Sequence, residues 1–259
     1  AMALALISML LTYGSIHLNE IVQAQNGVFF GVIPAWGAFM QPLAAIIFIV
    51  CAFAETNRTP FDIAEGESEI VAGYHTEYSA MRFGLFQVSE FAAMAGASAI
   101  IVTLFFGGYT IPWLDTQTLK ANMDIVIIVL MALLPIKIFV LTKWIKKNNT
   151  WKNPDDIRAK ETGILVKAFW TIGVISFLAL GAIMATGLSE NGSSIAVAVI
   201  QVTTFLVKFF LMVIVFMWIR WTLLRFRYDQ LQMLGWKVLL PLALLNIIIT
   251  ATVIVYTGI

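Results

Sequence analysis

Long apolar stretches separated by short polar segments dominate this chain, and none of them alternates with the period of two expected of a barrel strand. About 20 apolar residues in a row are enough for an α-helix to cross the ~30 Å hydrocarbon core of a bilayer. Seven such spans are predicted, at residues 1 to 14 (a partial one), 36 to 54, 84 to 107, 123 to 143, 165 to 187, 195 to 219 and 236 to 257. Lipid offers backbone groups no hydrogen bonds, so a spanning element must be a helix or part of a closed barrel, and the continuous runs select helices. The predicted fold class is therefore all-α, a polytopic transmembrane helical bundle forming one membrane domain over 1–259. The chain opens directly on the apolar residues 1 to 7, with no basic flank or polar lead-in, and the expectation is that the natural N-terminus lies further upstream.

Composition agrees with lipid as the solvent. Of 259 residues, 60% are hydrophobic and 12% charged, too few to cover a water-soluble domain. A net charge of +1 gives no reason to expect nucleic acid, so the placement of charge matters more than its sum. If the spans alternate, one side receives Arg58, Arg82, Lys143, Lys146, Lys147, Lys152, Arg158, Lys160, Lys167, Arg220, Arg225, Arg227 and Lys237, and the other only Lys120. The positive-inside rule then makes the first side cytoplasmic and puts the C-terminus outside, as in a multi-pass protein of a bacterial inner membrane. Trp36, Trp113, Trp144, Trp218, Trp221 and Trp236 fall near predicted span ends, where an amphipathic ring prefers the interface.

The single cysteine, Cys51, lies in an apolar run and cannot form an intrachain disulfide. His17 and His75 fall on opposite sides, so no histidine pair suggests a metal site. There is no Gly-rich phosphate loop and no nucleophile elbow, and Gly107-Gly108 reads as a helix stop.

Seven of the fifteen carboxylates fall between Glu55 and Glu90: Glu55, Asp62, Glu65, Glu67, Glu69, Glu77 and Glu90. Thr59, Pro60 and Asp62 fit the N-cap, N1 and acidic N3 of a short amphipathic helix ending near Gly73, with Asp62, Glu65 and Glu69 on one face. In water such a cluster costs only a few tenths of a kcal/mol per pair. If it dips toward the membrane, repulsion and desolvation make it a proton-exchanging relay; if it stays solvated, it is an acidic loop for a basic partner. Within the spans, Glu90 and Lys208 stand out, because a charge near the bilayer centre costs about 2.5 to 3.5 kcal/mol on insertion scales and usually faces a partner or a water-filled path. Lys137 is close enough to a span end to snorkel. Arg220, Arg225 and Arg227, just beyond the sixth span, suit anionic lipid head groups or a partner's carboxylates.

Two stretches carry a resemblance. Glu55-Thr56-Asn57-Arg58-Thr59-Pro60-Phe61-Asp62 through Glu65-Gly66-Glu67-Ser68-Glu69, with Val71-Ala72-Gly73-Tyr74 and Glu77-Tyr78-Ser79, resembles the signature loop of the membrane subunit that lines the quinone chamber of proton-pumping NADH:quinone oxidoreductase, respiratory complex I. Trp218-Ile219-Arg220, Arg225-Phe226-Arg227-Tyr228-Asp229-Gln230-Leu231 and Gly235-Trp236-Lys237 resemble the turn before that family's last helix, and Lys208 aligns with a lysine of its penultimate helix. The likeness covers roughly residues 1 to 110 and 199 to 257. Residues 1 to 14 would then be the family's fourth span, and 111–198 an insertion carrying two extra spans that is expected at the periphery. Leu224 stands where the family usually has proline.

The resemblance implies a subunit that is not catalytic alone. Quinone would be the substrate, with no metal, flavin or nicotinamide bound to this chain. Its partners would be peripheral quinone-site and iron-sulfur subunits, small and antiporter-like membrane subunits, and lipid. Asp62, Glu65, Glu67, Glu69 and Glu77 would form an acidic funnel beneath the quinone cavity, continued by Glu90 and Lys208. Glu55, Arg58, Arg220, Arg225, Arg227 and Asp229 would line the chamber or the charged axis. The rival readings are the homologous membrane subunit of an energy-converting hydrogenase and, from another class, a stand-alone cation transporter or a structural membrane anchor.

Overall fold

The computed structural model describes residues 1–29, 31, 33–62, 76–78, 80–148, 157–186 and 190–257. The chain divides into two compact units, Ala1–Asp115 with Ile200–Ile259, and Thr116–Val199.

In the first unit, α1 (Met2–Tyr13) ends at Gly14, whose left-handed conformation (φ 65°) lets its N–H cap the Leu10 carbonyl. Helix α2 (Leu18–Ala24) follows, then a two-residue hairpin of β1 (Val28–Phe29) and β2 (Ile33–Pro34) in antiparallel register, Val28 opposite Pro34 and Phe29 opposite Ile33. A short α3 (Gly37–Met40) leads into α4 (Pro42–Glu55), and α5 (Ala80–Phe105) comes after the acidic loop. The unit closes with the C-terminal part of α9 (Glu190–Thr222), α10 (Tyr228–Met233), a π-helical turn (Leu234–Leu239) and α11 (Leu240–Thr257).

Helix α1 packs on both α4 and α11. The core these helices share includes the small residues Ala5, Ala44, Ala45, Ala52 and Ala243, all buried. In lipid no hydrophobic force brings apolar helices together, so close backbone approach through alanines is what makes their packing favourable. Larger residues fill the remaining space, with Phe53 stacked on Phe216 at 4.0 Å and Phe48 against Phe105 at 5.4 Å.

The second unit holds α6 (Thr116–Ala121), α7 (Met123–Asn148), α8 (Ile157–Thr186) and the start of α9. Helices α7 and α8 pack against each other. Gly173 of α8 faces Ile138 and Leu134 of α7, and Gly181 faces Met131, so the crossing is made where one partner has no side chain.

Five helical segments among the described residues are long and apolar enough to cross a bilayer: Ala80–Phe105, Met123–Asn148, Lys160–Met184, Gly192–Thr222 and Tyr228–Tyr256. The chain is a multi-pass, helical membrane protein. Two of the seven expected spans come out differently. The first is α1, which is joined to α2 at a bend of 60° and makes a sixth span only if the pair counts as one. The second is broken, because Gln41 leaves the helical region (φ −134°, ψ 65°) just before Pro42, and proline's ring disfavours helix in the residue before it. What remains, α4, has 14 residues.

The helix expected to start at Thr59 and Pro60 does not start there. Residues 58–61 form a turn in which Phe61 N–H donates to the Arg58 carbonyl at 2.9 Å, and the Thr59–Pro60 peptide is cis. The expected continuation, with Glu65, Glu67, Glu69 and His75, lies outside the described residues.

Candidate functional site

The first unit collects its charged chemistry where α4 ends, α5 begins and α9 gives way to α10. Thr56 bends the chain out of α4, its hydroxyl returned to the Ala52 and Phe53 carbonyls at 2.9 and 3.3 Å. The turn that follows buries Arg58 and Asp62, only 4% and 3% exposed. A buried charge needs a partner, and each has one. Arg58 Nη2 lies 4.0 Å from Glu90 Oε2, and its guanidinium carbon sits 4.4 Å from the centroid of the Phe91 ring. Arg225 Nη2 lies 3.6 Å from Asp62 Oδ2.

Two further contacts hold the turn to the α9–α10 connection. The Phe226 N–H donates to the Pro60 carbonyl at 2.9 Å, and the Phe226 ring stacks on Phe61 at 5.5 Å. Arg227 precedes α10, and its N–H is taken by the Gln230 side chain at 3.1 Å, while Asp229 sits in the helix's first turn, where a negative charge suits the dipole.

Next to this turn lies a cavity of about 470 Å³, walled by Ala1 and Met2, by Val50, Cys51, Ala54, Glu55 and Phe61, and by Leu231, the π-helical turn with Leu234, Gly235, Trp236 and Leu239, and Leu240. Among the described residues, Glu55 brings the one charged side chain to this lining. Such a space suits a flat or chain-like apolar molecule with a polar head. The π-helical turn widens the helix where it forms the wall, an irregularity often found at functional sites.

The structure therefore pairs Arg58 with Glu90 and Asp62 with Arg225, and puts Glu55 on the cavity wall. Glu77 and Arg220 are exposed, as are Arg227 and Asp229. Lys208 is elsewhere. Its ammonium donates to the carbonyls of Phe106, Gly108 and Thr110, past the far end of α5. From Glu90 to Phe105 the helix rises roughly 22 Å at 1.5 Å per residue, so the two intramembrane charges do not meet.

Several participants belong to none of the motifs in the sequence. Gln25, fully buried, accepts from the N–H groups of Gly37 and Gly107 and donates to the Thr103 carbonyl. Gln41 donates to Thr12 and Thr250 and accepts from Asn246. For Gln41 an amide inside an apolar run was the available signal, since burial obliges it to find partners; Gln25, in the polar segment Gln23-Ala24-Gln25-Asn26, carried no such signal. Trp36 packs its ring on Phe106 and close to Lys208, and Trp113, Trp144, Trp218, Trp221 and Trp236 are exposed.

A family model described as NADH dehydrogenase matches residues 1–148 and 161–251. The chain belongs to the NADH dehydrogenase family. Among curated relatives, it is 36% identical over 264 residues to a subunit of the NADH-quinone oxidoreductase of Bdellovibrio bacteriovorus, covering 98% of this chain and 53% of that protein. It is 36% identical over 258 residues to the like-named subunit of the Salinibacter ruber enzyme, covering 100% and 55%. It is also 36% identical over 251 residues to NADH-quinone oxidoreductase subunit 8 of Rhodothermus marinus, covering 97% and 53%. The chain thus spans about half the length of the curated relatives it matches. The NADH dehydrogenase model and these alignments run through α7 and most of α8, beyond the two stretches that carry the resemblance in the sequence.

Proposed function

We propose that this chain forms the membrane end of a quinone-binding chamber in an NADH:quinone oxidoreductase and couples quinone reduction to proton translocation. The observation that carries the reading is the cavity walled by Glu55 and the π-helical turn, next to the turn through Phe61 whose buried Arg58 and Asp62 pair with Glu90 and Arg225. The names of the relatives supply the reaction class.

In this reading a quinone head group lies near Glu55. Two electrons arrive from an iron-sulfur cluster of a partner subunit and two protons from the acidic side chains and water, giving the quinol. The change of charge at the head group alters the field acting on Asp62 and Glu90, each held in a low-dielectric pair, and redistributes protons among them. Glu65, Glu67, Glu69 and Glu77 take part in the same proton relay, and Arg220, Arg227 and Asp229 contribute to the chamber or the charged axis. Small and antiporter-like membrane subunits receive the displacement. The arginine-rich end faces the cytoplasm, so the C-terminus faces outward, and residues 111–198 serve an accessory role.

The test uses the full-length protein in its native complex. Inhibitor-sensitive NADH:quinone reductase activity and proton pumping are measured for wild type, Glu65→Gln and Glu90→Gln. Cys51, on the cavity wall, is probed with a membrane-permeant maleimide with and without a short-chain quinone analogue. Loss of activity with assembly intact, together with slower labelling when the analogue is present, is expected. Unchanged rates in both variants and labelling indifferent to the analogue would overturn the reading. Co-purification with nickel-iron hydrogenase subunits in place of a quinone-reducing complex would replace it with the hydrogenase alternative.

A further inference from the structure

Three carbonyl oxygens, those of Phe106, Gly108 and Thr110, converge on the Nζ of Lys208 at 2.8, 3.1 and 2.7 Å. A lysine ammonium has three N–H donors and no acceptor, so three carbonyls saturate it. The Trp36 ring closes another side, its centroid 4.9 Å from Nζ. These carbonyls lie just beyond the C-terminus of α5, where the helix dipole is negative and backbone oxygens lack intrahelical partners.

The cage is held together by groups other than the lysine. Gly107 and Gly108 adopt φ of +71° and +48°, a region open to glycine at no steric cost, and so turn the chain tightly enough to aim carbonyls inward. A Cβ on Gly107 would stand 2.6 Å from Trp36 Nε1, and one on Gly108 2.8 Å from a methyl of Val22. One oxygen of Gln25 accepts from both Gly37 and Gly107 N–H, at 3.1 and 2.9 Å, which ties the Trp36 segment to the turn. The Gly108 N–H donates to the Val102 carbonyl at 3.0 Å, and the Thr110 N–H and hydroxyl both donate to the Gly107 carbonyl, at 2.9 and 2.7 Å. Gly107, Gly108 and Thr110 are buried.

We propose that residues 106–110 and Trp36 form a binding site for a primary ammonium ion, that Lys208 fills it as a ligand tethered to α9, and that Lys208 is thereby the positioning residue for the far end of α5 and carries no protons to or from Glu90. Two observations separate it from a relay. All three of its N–H groups are committed to backbone carbonyls, and loss of a proton would turn a lone pair toward one of them. Glu90 is also roughly 22 Å away along α5.

The inference is independent of the quinone reading, and its test reads the turn itself. In the full-length protein within its native complex in lipid nanodiscs, hydrogen–deuterium exchange is followed over residues 104–112. Lys208→Ala, which empties the cage, is expected to raise exchange there about tenfold or more, the loss of hydrogen bonds to a charged donor. Methylammonium, which brings three N–H donors, restores most of the protection, whereas tetramethylammonium, with the same charge and no N–H, does not. Exchange equal to wild type in Lys208→Ala, or protection restored equally by both salts or by neither, overturns the proposal. Should Lys208→Ala fail to accumulate, Lys208→Gln keeps two N–H donors without the charge and is expected to raise exchange about threefold. Wild-type exchange in Lys208→Gln also overturns it, because a lysine whose role is to carry protons leaves this turn protected when replaced.

Discussion

The backbone N–H of Phe226 donates to the carbonyl of Pro60 at 2.9 Å, and this bond joins the acidic loop to the connection between α9 and α10. With Phe61 stacked on Phe226, it fixes one turn against the other and sets Arg225 within 3.6 Å of Asp62. The pair is unequal, because the Asp62 side chain is 1% exposed and that of Arg225 33%. Removing the arginine leaves a buried carboxylate, while removing the carboxylate leaves an arginine that can turn to water.

That asymmetry sets the first expectation. Arg225→Ala should destabilise the full-length protein by on the order of 1–3 kcal/mol, and Asp62→Asn by less. In a double-mutant cycle of thermal unfolding the two changes should be non-additive, since they are in contact. Additive losses would show that the two side chains act separately.

Arg58 makes the sharper case for identity as well as charge. Its guanidinium faces Glu90 at 4.0 Å and lies over the Phe91 ring, and a planar, weakly hydrated cation suits both contacts. Arg58→Lys keeps the charge but should lower the midpoint of unfolding and cut quinone reductase activity about as far as Arg58→Gln does, within roughly threefold. Near wild-type activity in Arg58→Lys would mean that charge alone is needed.

Glycines provide a matched control for packing. A Cβ on Gly37 would overlap the Leu104 carbonyl oxygen and the Met9 Cε and stand 3.1 Å from the Phe105 Cα, whereas one on Gly84 would meet nothing within 4 Å. Gly37→Ala should therefore cost at least about 2 kcal/mol, with backbone forced to move, while Gly84→Ala should be neutral or slightly stabilising in its helix. Comparing the thermal midpoints of the two variants in one detergent decides it; equal midpoints would mean that α3 does not pack closely on α5.

Glu90 and Lys208 show how far a sequence can be read. Both are legible as costly charges in apolar runs, because the price of a bare charge in lipid depends on residue type and depth alone. Their partners are not legible. Arg58 and the three carbonyls past α5 come from segments distant in the chain, and nothing in the run around Lys208 announces that its ligands are backbone atoms, which every residue carries. The break at Gln41 was written locally in the following Pro42, yet the hydrophobic pattern passes over it smoothly, since both sides of the break are equally apolar.

By itself the sequence determined that the solvent is lipid, that the elements are helices, roughly where the five long ones lie along the chain, and which charges have to be accounted for. Those properties follow from hydrophobic run length and from the cost of unsatisfied backbone and bare charge, which are local. Only the tertiary structure decided that Arg225 serves Asp62, that Arg58 serves Glu90, and that Lys208 is held beyond the C-terminal end of α5, away from Glu90. Pairing is a matter of which helix ends are brought side by side, and that is fixed by close packing of small residues such as Ala44, Ala52 and Ala243 between helices remote in sequence.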